Sequence, residues 1–434
     1  MSARTTSNES TTYDVIVVGG GFAGVAATKF LGKAGVRTLL IDRNNYQQFQ
    51  PLLYQVATAQ LPGTDVAAPL RTLFRRHKSV RVLTAEVTAV NARDRSVTLA
   101  DGTAYSSRIL VLATGAEVNF FGTPGAAEYS YPLYSLDDAT RLGSALVAEL
   151  DDRDAALADG TTTEPRSVVV VGGGPTGVET AGAIAEALKR VVPHYFSDQV
   201  AQQFSVHLVD LGPTVLAPFS AKSQAYAHEK LDQLGVRFHL KTGVNEIHED
   251  HVVLSDGSTL MADTVIWAGG LKAQSVIGTA GLPTGRGGRL DVSPDLTVPN
   301  AEGVYALGDS ANIPDGNGQS LPQLGAVAMQ AGKWAGKNIV ADLNGQPRTP
   351  FNYVDKGFMA MIGRGAAVAE LGTGRKQLDG PLAFASWLAV HDALLPRWAQ
   401  RTDAVANWSR DYLTNSRSAF MVGTGESGQG VSDR

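Results

Sequence analysis

The chain of 434 residues contains no cysteine, and that absence removes a whole chemistry. A dithiol relay, a persulfide-forming thiol and a thioether to a prosthetic group each need a sulfur that is missing here. Other shortages narrow the field. The 37 Lys and Arg are outnumbered by 42 Asp and Glu, giving a net charge of −5 and a pI near 5.9. That balance argues against nucleic acid, or a generic anionic surface, as the main partner. No stretch reaches the ~18 apolar residues of a membrane span. No metal site is expected: His391 is not accompanied by a His/Cys/Asp cluster of ligand spacing. No signal-peptide pattern opens the chain. The Ser/Thr-rich residues 1–12 read as a flexible arm, and residues 421–434 as a flexible tail.

What is present is ordinary in bulk. With 44% apolar and 18% charged residues the chain can bury sizeable cores, and its length suits about three domains. Against that background one pattern occurs twice. Val15-Ile-Val-Val-Gly19-Gly-Gly21-Phe-Ala-Gly24 recurs as Val168-Val-Val-Val-Gly172-Gly-Gly174-Pro-Thr-Gly177, about 150 residues later. Each copy sets G-x-G-x-x-G after a β-branched run and before a helix-like stretch. The first glycine allows a tight turn, the second lets the backbone approach a pyrophosphate, and the third lets helix and strand pack closely. The free N–H groups of the helix N-terminus then hold the phosphates. A single copy is a weak signal; two in strand-turn-helix context imply two bound dinucleotides. One is expected to be a flavin and the other the nicotinamide that reduces it.

Both halves continue on one plan. Val25 to Ala34 reads as a helix closed by Gly35, followed by a strand ending at Asp42. Asp42 stands eighteen residues after Gly24, near the distance at which a carboxylate meets an adenosine ribose; a turn-forming Asp is the alternative. Strand alternation fills Val80 to Leu99, Asp101-Gly102 signals a hairpin, and Leu110-Val-Leu-Ala113-Thr114-Gly115 ends a buried strand. The charged residues 151–166 read as an exposed loop. In the second half Asp210 ends the matching strand, thirty-three residues after Gly177, so the helix between is long or carries an insertion. A carboxylate there, with no Arg close behind it, favours NADH over NADPH. Asp263 to Gly270 repeats the small-residue strand ending and makes Gly269 a cofactor contact. Gly308-Asp309, after a short apolar strand, can hold a carboxylate against a polyol. The uncharged, aromatic segment Asn44 to Ala57 suits either the cover of a flat apolar ring or plain core.

These segments resemble the two-dinucleotide flavoprotein oxidoreductases, and more narrowly the type II NADH dehydrogenases, from Tyr13 to about Asn415. The broad resemblance rests on Gly19-Gly21-Gly24, Ala113-Thr114-Gly115, Gly172-Gly174-Gly177 and Thr297 through Asp309. The narrower one rests on Asn45-Tyr46 with Phe49 to Ala57, Gly172 to Glu179, Ala328-Met-Gln330 and Phe351-Asn-Tyr-Val-Asp-Lys356-Gly. It implies FAD in the first site, NADH in the second, and two-electron reduction of a quinone without proton pumping. The implied fold is α/β: two doubly wound domains, the second inserted in the first. FAD binding falls to 13–120 with 290–345, NADH binding to 121–289, and a C-terminal α+β domain covers 346–420.

The same resemblance gives roles to three side chains, each with a plainer alternative. Glu179 would relay a proton, or else complement a helix dipole from the first turn. Lys356 would stabilise the anionic reduced flavin, or else is a surface lysine. Gln330 would meet the acceptor, or else satisfies buried backbone. Trp267 and Trp334 read as core. Two departures bear on the quinone: Ala326 stands where the family places a Gln, and the tail is interrupted by His391-Asp392 and by polar residues after Pro396. The tail therefore suggests weak peripheral attachment through Leu382, Phe384, Trp387 and Leu388, on the cytoplasmic face of the membrane, or a homodimer contact. The rivals are a soluble reductase of a quinonoid molecule or an electron-transfer protein, a flavin monooxygenase, and an NADH-sensing flavoprotein without turnover.

Overall fold

In the computed structural model the described residues are 13–161, 165–417 and 419–420; the expected arm (1–12) and tail (421–434) lie outside them. Two compact units emerge. One comprises the described residues up to Gln47 together with Ala68–Glu117 and Leu271–Val354. The other comprises Gln48–Ala67, Val118–Gly270 and the described residues from Asp355 onward.

The first unit is built on a parallel sheet in the order Val80–Thr84, Thr38–Asp42, Tyr13–Val18, Ala104–Leu112, Val304–Ala306. Its strands are runs of Val, Ile and Leu because both faces of the sheet are covered; Val15, Ile16, Val17, Leu39, Leu40, Leu110 and Val111 have no exposed surface. The hairpin expected at Asp101-Gly102 joins Ser96–Leu99 to Ala104–Leu112. Helix Phe22–Lys33 lies against helix Gly325–Leu343 so closely that a Cβ on Gly332 would stand 2.2 Å from the Ala23 carbonyl.

The second unit carries a parallel sheet in the order Tyr131–Pro132, Thr264–Trp267, Arg166–Val171, Phe204–Asp210, Val236–Leu240. An antiparallel sheet of Gly357–Gly363, Ala366–Leu371 and Lys376–Asp379 follows, then helices Gly380–Leu394 and Trp398–Thr414. Both units are doubly wound α/β structures. The expectation of a loop over 151–166 is corrected for 151–158: helix Leu136–Ala158, started by a Ser135/Asp138 capping box, extends through those residues and buries Arg153, while residues 162–164 lie outside the described ones. The long spacing to Asp210 comes from an insertion: helix Pro175–Arg190 is followed by a turn at Val192–His194 and a short helix, Asp198–Gln202.

Candidate functional site

The first cradle forms at the C-terminal end of strand Tyr13–Val18. Gly19 has φ +105°, and a Cβ there would stand 2.1 Å from the Ala113 carbonyl oxygen. A Cβ on Gly24 would stand 1.8 Å from the Gly19 carbonyl, so both positions are closed to side chains. Gly21 is the opposite: a Cβ there meets nothing within 4 Å. It caps helix Phe22–Lys33 with no side-chain hydrogen bond, which leaves the first-turn N–H groups facing open space. That is the volume a pyrophosphate needs. Asp42 accepts from the Gly20 amide at 2.5 Å and the Asn44 amide at 2.7 Å; burial raises its pKa against the pull of those two donors. Ala113-Thr114-Gly115 lies beside Gly19, and the buried Thr114 hydroxyl has no partner among the described residues. Ser310 donates to the Leu112 and Leu307 carbonyls and ties the Gly308–Ser310 turn to that strand end, while Gly308 lies against Ala23 and Ala328. Asp309 has its carbonyl held by Gln323.

The second unit repeats the construction. Gly172 has φ +113°, with the Ala268 carbonyl 2.6 Å and the Gly269 Cα 3.2 Å from where a Cβ would be. Gly177 closes on Gly172 at 1.8 Å, and Gly174 is open. Gly174 caps helix Pro175–Arg190 without a side-chain bond. Asp210 accepts from Gly173 at 2.5 Å and Gly212 at 2.6 Å, the counterpart of Asp42. The structure therefore gathers Gly19, Gly21, Gly24, Asp42, Ala113–Gly115, Gly308 and Asp309 at one sheet end, and Gly172, Gly174, Gly177, Asp210 and Gly269 at the other. Both cradles fit a dinucleotide by the same test: open space over an uncapped helix start, and none beneath it.

Glu179 differs from its sequence reading. It is the fifth residue of its helix, whose first turn holds no acid, so it does not serve the helix dipole there. It is buried, and Oε1 accepts the Met361 amide at 3.0 Å. Burial pushes the carboxyl up to about 8; the Met361 N–H and, after it, the Trp387 indole N–H favour the charged form without offsetting that. Two turns further along the same face of the helix, Glu186 accepts the Arg364 amide at 2.7 Å and lies 3.3 Å from its guanidinium. Arg364 in turn donates to the Asp411 and Tyr412 carbonyls and to Asn415, pinning the last helix.

Sequence reasoning missed most of the Glu179 surroundings. The segment Phe49 to Ala57 is buried as a 3-10 turn and short helix. Its Tyr54 packs edge-on against Trp387, with ring centres 6.3 Å apart, and its Gln55 accepts the Trp408 indole N–H at 2.8 Å. Trp387 is wholly buried and stacks on His391 at 3.8 Å. It is therefore not an outward-facing side chain of the tail, as its sequence position suggested. The exposed apolar residues there are Leu382, Val390, Leu394, Trp398, Val405 and Leu413. The aromatic run before Ala57 was the one available signal. Lys356 is exposed immediately before the strand that carries Met361. Gln330 spends both ends of its amide on the Val354 backbone, at 3.0 and 3.1 Å. Trp267 lies in the core and Trp334 packs partly buried. Among the described residues no helix is long and apolar enough to cross a membrane, and no cluster suits a metal.

The family described as pyridine nucleotide-disulphide oxidoreductase matches residues 13–332. A type II NADH:quinone oxidoreductase of Mycobacterium tuberculosis is 31% identical over 424 residues, covering 94% of this chain and 90% of the relative. One from Staphylococcus haemolyticus is 29% identical over 359 residues, covering 80% and 87%. The fold matches NDH2 from Plasmodium falciparum, solved in complex with NADH, with a TM-score of 0.85 at 19% identity, covering 94% of this chain and all of that one.

Proposed function

From its membership of the pyridine nucleotide-disulphide oxidoreductases, and within them of the type II NADH:quinone oxidoreductases, we infer that this chain takes electrons from NADH and delivers them to a quinone. It is an FAD-dependent enzyme. FAD when bound supplies the redox chemistry, taking a hydride from NADH and returning two electrons to the quinone. The observation that carries the reading is the pair of open positions, Gly21 and Gly174, each over an uncapped helix N-terminus.

The chain's own contribution is orientation, electrostatics and proton supply. In this proposal Gly19, Gly21, Gly24, Asp42, Ala113, Thr114, Gly115, Gly308 and Asp309 hold FAD, with residues 13–120 and 290–345 as its domain. Gly172, Gly174, Gly177, Asp210 and Gly269 hold NADH within 121–289. The Thr114 hydroxyl, buried without a partner, gains one when that site fills. Lys356 supplies a fixed cation. Gln330 braces the segment leading to Lys356 through Val354, which makes its acceptor contact indirect. Glu179, protonated at neutral pH, donates a proton as the quinone gains electrons. Steady-state NADH oxidation against a panel of quinones, oxygen and ferricyanide tests the reading; turnover with ferricyanide and no quinone would overturn it and favour the soluble-reductase reading.

The partner surface is proposed on the two C-terminal helices. On Gly380–Leu394 the exposed apolar side chains are Leu382, Val390 and Leu394; on Trp398–Thr414 they are Val405, Leu413 and Trp398 itself. Such a face suits peripheral contact with a lipid surface, on the cytoplasmic side where NADH is available. A homodimer through the same face is the competing outcome.

A further inference from the structure

Three features of the second unit converge on one side chain. Trp387 has no exposed surface, and its indole N–H is buried without a hydrogen-bond partner among the described residues. An orphaned buried donor of this kind costs stability in the state that holds it, so its presence calls for a role in another state of the protein. Its ring is held from three sides: His391 stacks on it at 3.8 Å, Tyr54 meets it edge-on at 6.3 Å and Trp408 at 6.4 Å. His391 is locked in turn. Its Nδ1 donates to the Trp387 carbonyl at 2.8 Å, and Phe49 packs edge-on against it. The orphaned N–H lies beside the Glu179 carboxyl, whose charged form it favours. Among the described residues, the one backbone donor to the Glu179 carboxyl is the Met361 amide.

A protonated carboxyl is adequately served by one donor. A buried carboxylate is not, because its charge lost several hydrogen bonds to water on burial. We propose that Trp387 is a positioning residue for Glu179: its indole N–H stands unpaired while the acid holds its proton and closes a hydrogen bond to the carboxylate once that proton has left. Trp387 sets how readily Glu179 releases its proton and touches no substrate. The proposal rests on the reading of Glu179 as the proton donor given above. His391 acts as a neutral wedge that fixes the indole plane, since burial holds its pKa down at about 4.

Among the other ionisable groups on the packed elements, burial pushes the Tyr54 and Tyr412 hydroxyls well up and raises the Asp392 carboxyl, Glu186 is paired with Arg364, Asp411 is paired with Arg417, and His391 stays neutral. Near pH 8 the charge change in this pocket is that of Glu179.

The decisive experiment leaves the pocket intact. The chain has five tryptophans, so 5-fluorotryptophan-labelled holoenzyme gives five fluorine resonances, and W267F, W334F, W398F and W408F identify that of Trp387 by elimination. Between about pH 6 and about pH 10 the Trp387 resonance is expected to shift with one inflection near that of Glu179, and to stay still in E179Q. A resonance that never moves, or that moves equally in E179Q, overturns the proposal. A second arm uses W387F and E179Q/W387F. Losing the donor should raise the pH inflection of wild-type thermal stability by about one unit, a tenfold change in the ionisation constant, and should leave the double variant without one. A structural role alone would lower stability equally at every pH and leave the inflection in place, which refutes the assignment. Full quinone reduction by E179Q would instead remove the proton-donor role, while the fluorine titration still reads the hydrogen bond.

Discussion

Replacing Glu179 with Gln should make the enzyme more stable, by an amount that grows with pH. The glutamine carbonyl can still accept the Met361 amide, and the shape is conserved, so the variant removes a titration and little else. Burial puts the native pKa at about 8 against an ordinary value of 4.5. Between those values the native state keeps a proton that the unfolded chain has released. The native state therefore binds more protons, and stability falls as pH rises through that window, by about 1.4 kcal/mol per unit, and is flat outside it. Across the full window the wild type loses up to about 5 kcal/mol relative to E179Q, the largest loss lying at and above pH 8. For 434 residues the usual melting entropy is about 0.9 kcal/mol/K, so the two melting curves should separate by about 5 °C at alkaline pH and nearly coincide near pH 5. Differential scanning of both proteins under saturating FAD reads this directly. Parallel curves from about pH 5 to about pH 9 would refute the argument, because they would mean that Glu179 ionises in the folded protein as it does in water. The same shift is what makes the residue useful: at pH 7 an acid of pKa about 8 is protonated in about nine molecules of ten.

Other outcomes follow from the cradles and the tail. Gly21→Val should fold normally, since a Cβ there meets nothing within 4 Å, yet retain no FAD on gel filtration; a yellow variant would mean that this space is not the pyrophosphate site. NADH should reduce the flavin much faster than NADPH, because Asp210 repels a 2′-phosphate. D210S combined with L211R, the latter at a highly exposed position, should narrow that preference in stopped flow. Equal rates with the unaltered protein would overturn the assignment. Leu382, Leu394, Trp398 and Leu413 together could contribute about 6–12 kcal/mol on burial in lipid, as an upper bound at ~1.5–3 each. W398S with L413S should therefore abolish flotation with anionic liposomes without altering NADH oxidation by ferricyanide. Unchanged flotation would place the contact elsewhere, and concentration-dependent dimerisation lost in the variant would assign the face to a second copy.

The parts of this molecule that could be read from sequence are those whose function is made by contiguous backbone. Each cradle is a strand, a turn and a helix start in ten consecutive residues, and its glycines are dictated by collisions with main-chain atoms such as the Ala113 and Ala268 carbonyls. No other residue type satisfies that geometry, so the pattern is visible without the structure. The carboxylates Asp42 and Asp210 follow at strand ends for the same reason, each anchored to the middle glycine of its own cradle. The charged run 151–158 misled because Asp and Arg in the last turns of a long helix look in sequence like a solvated loop, and only the cap at Ser135 marks where that helix began.

The Glu179 pocket was not legible, and the reason is physical. Its walls come from Phe49, Tyr54, Met361, Trp387, His391 and Trp408, drawn from separate stretches that spacing cannot join. A carboxyl five residues into a helix is surface decoration or a buried acid depending on what other segments lay over it. Here strand Gly357–Gly363 and helix Gly380–Leu394 do so. The tail shows the same ambiguity in two tryptophans. Trp387 stands in an apolar helix and Trp398 at the start of a more polar one, yet the side chain's hydrophobicity alone gives both one destination. The structure sends them opposite ways: Trp387 has no exposed surface, while Trp398 keeps 76% of its own. What separates them is the partner each finds, His391 and Tyr54 for the first and solvent for the second. The first then sits where it can tune a proton donor, and the second where it can meet a lipid surface, so one short segment links the enzyme's acid chemistry to its proposed site of attachment.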